Sequence, residues 1–255
     1  MRNAVDSLWF RGFGGTRAAG ADAVRLICFP HAGGSASWFA PLSRLLSPHV
    51  DVRAVQYPGR QDRRRETPAG DITELAGRIA ERLRHQDERP YAFFGHSMGA
   101  LLAYETARVL QTWQVSAPVR LFLSGRGAPT TAPHRHDVLP DDAAILTAVR
   151  ALGGTAAVVL EDPELMEMAL PALRADYRAL ASYRWLHGDP LDMPITVLTG
   201  CDDPVVPVTE AARWSEHTRS SCGLRVFPGN HFYLDEQVTE VAEALTDELR
   251  PTAKR

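Results

Sequence analysis

Cysteine is scarce in this chain of 255 residues, which has three, and that excludes a disulfide-stapled scaffold. Cys28, Cys201 and Cys222 cannot all pair with one another, and their spacing fits neither a metal motif nor a redox CxxC. Cys28 lies in an apolar run and reads as a small core residue. Together the three fit a reducing compartment. No apolar run is long enough to span a bilayer. The start, MRNAVDSLWFRGF, lacks the uninterrupted apolar stretch of a signal peptide. The expectation is a cytoplasmic protein with no membrane partner. Basic excess is missing too: the net charge of −3 offers nothing with which to contact a run of phosphates, so no nucleic-acid partner is expected.

What is present is enough chain to bury a core unaided, as one large domain or a core domain carrying an insertion. Apolar or alternating runs of strand length recur at VRLICF (24–29), VDVRAVQY (50–57), YAFFG (91–95), VRLFLSG (119–125), ITVLTG (195–200) and LRVFPG (224–229). Helical patterns separate most of them. That rhythm predicts an α/β fold with a mostly parallel central sheet covered by helices on both faces. Ile72, Leu75, Ala76, Ile79, Ala80 and Leu83 form a helical stripe behind a capping-box-like Asp71 and Glu74. ALLAYETARVL after Ser97, and Val238, Val241, Ala242, Leu245 and Leu249, read as two more helices with core-facing stripes.

Residues 1–22, Gly/Ala-rich from Arg11, read as a flexible leader. Residues 23–125 and 194–255 carry the core rhythm, and 126–193 interrupts it. Within the interruption, LPDDAAILTAVRALGG predicts a helix with a Gly-Gly stop. Asp162 and Pro163 predict the N-cap and first position of another. Pro171 is expected to break or kink that helix. A long helical insertion between sheet strands reads as a lid, with spare structural helices as the plainer alternative.

The strongest chemical signal is Gly95-His96-Ser97-Met98-Gly99, between the strand YAFF and the helix ALLAYETA. A serine at so sharp a strand–turn–helix apex takes a strained backbone, and the flanking glycines remove colliding side chains. Serine needs a base, and nine histidines are available. His49, His85, His134, His136, His187 and His217 lie in polar or loop-like surroundings and read as surface residues. His31 and His96 flank predicted catalytic elements. His231 follows the last strand and precedes the final helix, where the third member falls in the order Ser, acid, His. The acid is expected after ITVLTG, at Asp202 or Asp203. Adjacent side chains in an extended turn point apart, so one orients the imidazole and the other caps the loop or meets solvent. Residue physics alone does not choose. Asp189, Asp192 and Glu210 lie outside this turn.

The first core strand ends in Pro30-His31-Ala32-Gly33-Gly34, a small-residue turn whose amides can approach a substrate oxygen. The expected oxyanion hole pairs the N–H of Met98 with that of Ala32. Ala32, Ser97, Asp203 and His231 each lie near a strand's predicted carboxyl end, and in an open parallel sheet those ends share the ligand-binding edge.

ICFPHAGGSA, VQYPGRQDRR, FFGHSMGA, LPALRADYRAL and GCDDPVVP together resemble the type II thioesterases, the stand-alone editing enzymes of polyketide and nonribosomal peptide synthesis. The likeness runs from about residue 24 to 249. It implies the α/β-hydrolase fold and assigns the acid to Asp203, with Ser97 and His231 completing a triad and the amides of Ala32 and Met98 forming the oxyanion hole. It also implies hydrolysis of stalled or aberrant acyl groups from the 4′-phosphopantetheine arm of acyl or peptidyl carrier proteins. Small acyl thioesters would serve as well, and no metal or cofactor belongs to the enzyme. The basic run Arg60–Arg65 reads either as a carrier-docking loop or as a solvated one. Leu165, Met166, Met168 and Leu170 read either as an acyl-channel lining or as lid packing. Two rivals stand beside this reading: a general carboxylesterase or acyltransferase, and a catalytically silent binding module.

Overall fold

The computed structural model describes residues 8–13, 23–85, 89–130, 132–153 and 162–250. Seven strands form one sheet: β1 (Phe10–Gly12), β2 (Arg25–Phe29), β3 (Asp51–Val55), β4 (Tyr91–His96), β5 (Leu121–Ser124), β6 (Ile195–Gly200) and β7 (Cys222–Phe227). Their order is β1-β3-β2-β4-β5-β6-β7. β1 runs antiparallel to β3, and every other pairing is parallel. The strands β2, β4, β5 and β6 are buried along their whole length. Continuous apolar runs are what a parallel sheet covered on both faces demands.

Helices α1 (Ala40–Leu46), α2 (Ile72–Leu83), α3 (Met98–Thr112) and the C-terminal Val238–Leu249 supply that cover. α2 and α3 pack into one core with the β2 side chains Ile27 and Phe29. α1 and the C-terminal helix pack into the other with Leu26 and Cys28. The α2 stripe buries Ile72, Leu75, Ile79 and Leu83, each worth about 1.5–3 kcal/mol when fully removed from water. Asp71 caps this helix by accepting the Glu74 N–H at 2.8 Å, as the sequence predicts.

Between β5 and β6 lie α4 (Asp142–Leu152) and α5 (Pro163–Ser182). Gly153 ends α4 at a φ of 73°; its partner in the expected Gly-Gly stop, Gly154, lies outside the described residues. Asp162 caps α5 by accepting from the amides of Glu164 and Leu165, with Pro163 in the first turn. Of the break or kink expected at Pro171, the break does not occur, because α5 runs through it. Pro171 and Glu167 are both exposed, so water can reach the Glu167 carbonyl that loses its helical donor. Exposure makes the proline tolerable.

The leader expectation is corrected in part. Trp9 and Phe10 are buried, and β1 extends the sheet edge. Trp9 O accepts the Gln56 N–H at 2.8 Å, while the Arg63 and Arg78 guanidinium groups lie 4.1 Å and 5.3 Å from its ring centre. Two large apolar side chains give this segment more to gain by docking than by staying free. The leader's residues 1–7 and 14–22 lie outside the described residues. Among the described residues, no helix is long and apolar enough to cross a membrane.

Candidate active site

The turn after β4 is built by steric exclusion. Ser97 sits at φ 55° and ψ −118°, a conformation that costs a non-glycine residue on the order of 1–3 kcal/mol. A Cβ on Gly95 would lie 2.2 Å from Gly99 O, and one on Gly99 would lie 1.9 Å from Phe29 O. Neither contact is possible, so both glycines are obligatory where α3 crosses the end of β2. Ser97 N–H donates to Ser124 O at 2.8 Å, which ties the elbow to β5. Met98 opens α3, where the first amides of a helix have no intrahelical acceptor.

His231 is 2% exposed, and its Nδ1 lies 2.8 Å from Asp203 Oδ2. The other carboxylate oxygen of Asp203 accepts the N–H groups of Val205 and Val206 at 2.9 Å and 3.1 Å. One aspartate therefore both meets the imidazole and caps its own loop. The Asp202 carboxylate is exposed and accepts from the Cys201 thiol at 3.1 Å. Gly200 makes the meeting possible: a Cβ there would lie 2.3 Å from Asn230 O and 2.4 Å from Gly229 O. The histidine loop thus rests directly on the end of β6.

Ser97 and His231 face a cavity of about 410 Å³ whose wall also includes Ala32, Tyr177 and Leu180. A second cavity of about 530 Å³ opens beyond Ala32, lined by His31, Trp38, Leu173 and Leu234. Ala32 belongs to both walls. Of the five predicted site residues, Ala32, Ser97 and His231 thus line one cavity, Asp203 meets His231, and Met98 follows Ser97 at the start of α3.

Two further histidines crowd this cluster. His31 and His96 rings lie 4.9 Å and 5.5 Å from Phe232, and His96 lies 5.1 Å from His231. Burial first, then His231 and Arg60, push the His31 pKa down to about 3. Burial likewise holds His96 well below the ordinary imidazole value. Both stay neutral near pH 7, so neither puts a cation beside His231. His96 Nδ1 pairs with Ser124 Oγ at 2.9 Å, which pairs in turn with Tyr233 OH at 2.6 Å. This chain was not foreseen from the sequence.

Other expectations need correction. His217 is buried, not on the surface: it is 5% exposed, with Tyr104 OH 3.1 Å from its Nδ1, and burial lowers its pKa to about 4. His134 and His136 are half-buried in the cavity wall, while His49, His85 and His187 are exposed. Neither reading of the basic run holds for Arg60 and Arg63, which are 5% and 4% exposed. Arg60 pairs with Asp176 of α5, and Arg63 donates to Gln56 O at 2.7 Å. Arg64 and Arg65 are exposed. On α5, Leu165 and Met168 point outward at 41% and 65% exposure. Ala169, Leu173, Tyr177 and Leu180 line the cavities instead. Among the described residues, no group of three or more His, Cys, Asp or Glu side chains could hold a metal ion.

Residues 24–249 match the family model of the thioesterase domain. The chain is 48% identical to a probable cadicidin biosynthesis thioesterase of Streptomyces griseus, covering 96% of this chain and 68% of that protein. It is 43% identical to the thioesterase PikA5 of Streptomyces venezuelae, covering 98% of this chain and 88% of that one. Among solved structures it resembles the type II thioesterase BorB from the borrelidin biosynthetic cluster, with a TM-score of 0.85 and 43% identity over 95% of this chain and 98% of that one. With an α/β-hydrolase sheet, a serine elbow and this likeness along almost its whole length, the chain belongs to the thioesterase family and is an enzyme of thioester hydrolysis, of the type II kind.

Proposed function

We propose that this enzyme removes stalled or aberrant acyl groups from the 4′-phosphopantetheine arm of acyl or peptidyl carrier proteins, with Ser97, His231 and Asp203 as its triad. The observation that carries the triad is the 2.8 Å contact from His231 Nδ1 to Asp203, made by a histidine that shares a cavity wall with the strained serine. A proton held on Nδ1 leaves Nε2 as the base. His231 takes the Ser97 proton as the hydroxyl attacks the thioester carbonyl. The amides of Ala32 and Met98 receive the oxyanion. The pantetheine thiolate leaves, protonated by His231, and an acyl ester remains on Ser97. Water, activated by the same imidazole, releases the acid.

Two cavities meeting at Ala32 suit a thioester whose halves lie on either side of the reacting carbon. α4 and α5, within residues 126–193, act as the lid over them. The reaction so read needs no metal or cofactor from the enzyme; the pantetheine is part of the substrate. The names of two relatives, a cadicidin biosynthesis thioesterase and a type II thioesterase from the borrelidin biosynthetic cluster, support a carrier-bound substrate over a free oxygen ester. Ser97→Ala should reduce turnover of acyl-carrier thioesters by about 10⁶-fold in kcat, as loss of a triad nucleophile does elsewhere. Stopped-flow release of carrier thiol measures this, and wild-type turnover in the purified variant would reject the assignment. A matched oxygen ester turned over faster than the acyl-carrier thioester would favour the general esterase.

A further inference from the structure

The turn that bears Ala32 is held by a side chain from α5. Asp176 is 3% exposed, and its Oδ2 accepts the Gly33 N–H at 2.7 Å together with Nη2 of Arg60. A carboxylate on the inward face of a helix, beside Leu173, Tyr177 and Leu180, is expensive to bury unless it is paired and hydrogen-bonded. Arg60 supplies the opposite charge and is itself anchored by donating to Pro58 O at 3.0 Å. Salt-bridge stability alone would not call for the third partner, the backbone amide of the oxyanion turn.

That amide has a geometric consequence. The Gly34 N–H donates to His31 O at 3.0 Å, which anchors the peptide plane carrying the Ala32 N–H. Asp176 anchors the next plane through Gly33. Peptide units are planar, so two anchored neighbours leave the backbone of Ala32 little freedom. Upstream, Tyr57 OH donates to Pro30 O at 3.1 Å. Downstream, Gly33 lies so close to α5 that a Cβ on it would come 2.4 Å from Leu173 Cδ2. The charge arrangement is consistent as well. A bare carboxylate near a developing oxyanion would repel it, whereas one neutralised by Arg60 can grip the turn at little electrostatic cost.

We propose that Asp176 is a positioning residue for thioester hydrolysis: paired with Arg60, it clamps the Ala32–Gly33 peptide and so aims the Ala32 N–H at the reacting oxygen, making the oxyanion hole depend on the seated position of α5. The inference rests on the reading of Ala32 as an oxyanion donor. It predicts a loss in the chemical step and not in substrate binding.

The test uses the full chain, a small acyl thioester, and an alkyl trifluoromethyl ketone that adds to Ser97 and places an oxyanion in the hole. Asp176→Ala should lower kcat about 10- to 100-fold, short of the roughly 10²- to 10³-fold seen when an oxyanion donor is lost outright. KM should stay within about threefold, and ketone affinity should fall in step with kcat/KM. Asp176→Asn keeps an acceptor for Gly33 and should lie between wild type and alanine. Arg174→Ala, on the exposed side of α5 where it pairs with Asp142, should behave as wild type. The proposal is overturned if folded Asp176→Ala keeps wild-type kcat and ketone affinity, or if its loss is confined to KM or melting temperature. Should the alanine variant not fold, Asp176→Asn decides by the same readouts, with wild-type values overturning the proposal. Active Ser97→Ala, or a wild-type enzyme blind to the ketone, would instead sink the triad reading itself.

Discussion

Asp203→Asn isolates what the carboxylate contributes, because the two oxygens of Asp203 do different things. Oδ1 accepts two loop amides, from Val205 and Val206, and Oδ2 faces His231 Nδ1. An asparagine has one acceptor oxygen to share between these duties. If that oxygen serves the loop, its NH₂ points at Nδ1 and donates. The proton of the imidazole is then driven to Nε2, and His231 cannot act as base. If the amide flips, NH₂ meets two N–H donors that lose their acceptor, at about 1–3 kcal/mol each. The flip therefore costs several kcal/mol, and the unproductive tautomer prevails. A wrong-tautomer asparagine of this kind lowers kcat by about 10⁴-fold in a serine protease triad, and a loss of about 10³- to 10⁴-fold is expected here. Asp202→Asn touches only an exposed carboxylate and should change kcat by less than about twofold, as surface substitutions do. Steady-state hydrolysis of one acyl thioester by both purified variants decides the matter. Equal losses, or a larger one at Asp202, would refute the reasoning.

Arg63→Glu should act on stability and not on carrier recognition. It removes a buried cation stacked over Trp9 and leaves Gln56 O without its donor. The cost is about 3 kcal/mol or more, or a melting temperature lower by roughly 6–12 °C. Its ratio of kcat/KM for carrier-bound over small thioester should match wild type; a shifted ratio at unchanged melting temperature would restore the docking role. Acid should also destabilise the fold through His31. With its pKa lowered from 6.5 to about 3 in the folded protein, the unfolded chain binds the extra proton between those values. The stability His31 contributes is thus present above pH 6.5 and is lost as pH falls toward 3. By pH 5 the loss is about 2 kcal/mol relative to pH 7. Urea titrations of wild type and His31→Phe should show a shallower acid limb in the variant, and parallel limbs would count against it.

Much of the architecture was legible because its causes are local. Apolar runs such as RLICF and ITVLTG can only be buried strands, and Asp71 or Asp162 ahead of an apolar stripe announces a helix start. The serine elbow was legible for the same reason, since Gly95 and Gly99 sit at the positions where a side chain cannot fit. What failed depended on partners remote in the chain. Arg60 and Arg63 look solvated in a run of charges, but Asp176 and Trp9 arrive from 116 and 54 positions away and draw them inward. His217 lies in the polar string WSEHT, and only the folded chain sets it against Tyr104, Trp185 and Trp214. Asp202 and Asp203 were indistinguishable by neighbourhood until the His231 loop met one of them. On α5 a signal was present and overlooked. Leu173, Asp176, Tyr177 and Leu180 share one helical face, and a carboxylate in such a stripe marks either a misread helix or a buried partner.

Each loop of the site is set against another through a contact that excludes a side chain. Gly99 lies on the carbonyls of Phe29 and Pro30, Gly200 lies on the backbone of Gly229 and Asn230, and Gly33 lies under Leu173. Backbone against backbone is stiffer than side chain against side chain, because no rotamer can absorb a displacement. Preorganisation of a serine, an imidazole and two amides needs tolerances of about half an ångström, and interlocked glycine contacts can supply them from loops that share no hydrogen-bonded ladder. Among the described glycines, the inserted helix joins this framework at Gly33 alone. That contact joins the oxyanion turn to a helix outside the sheet, so a substrate that displaced α5 on entry would meet its full oxyanion hole only after the helix returns.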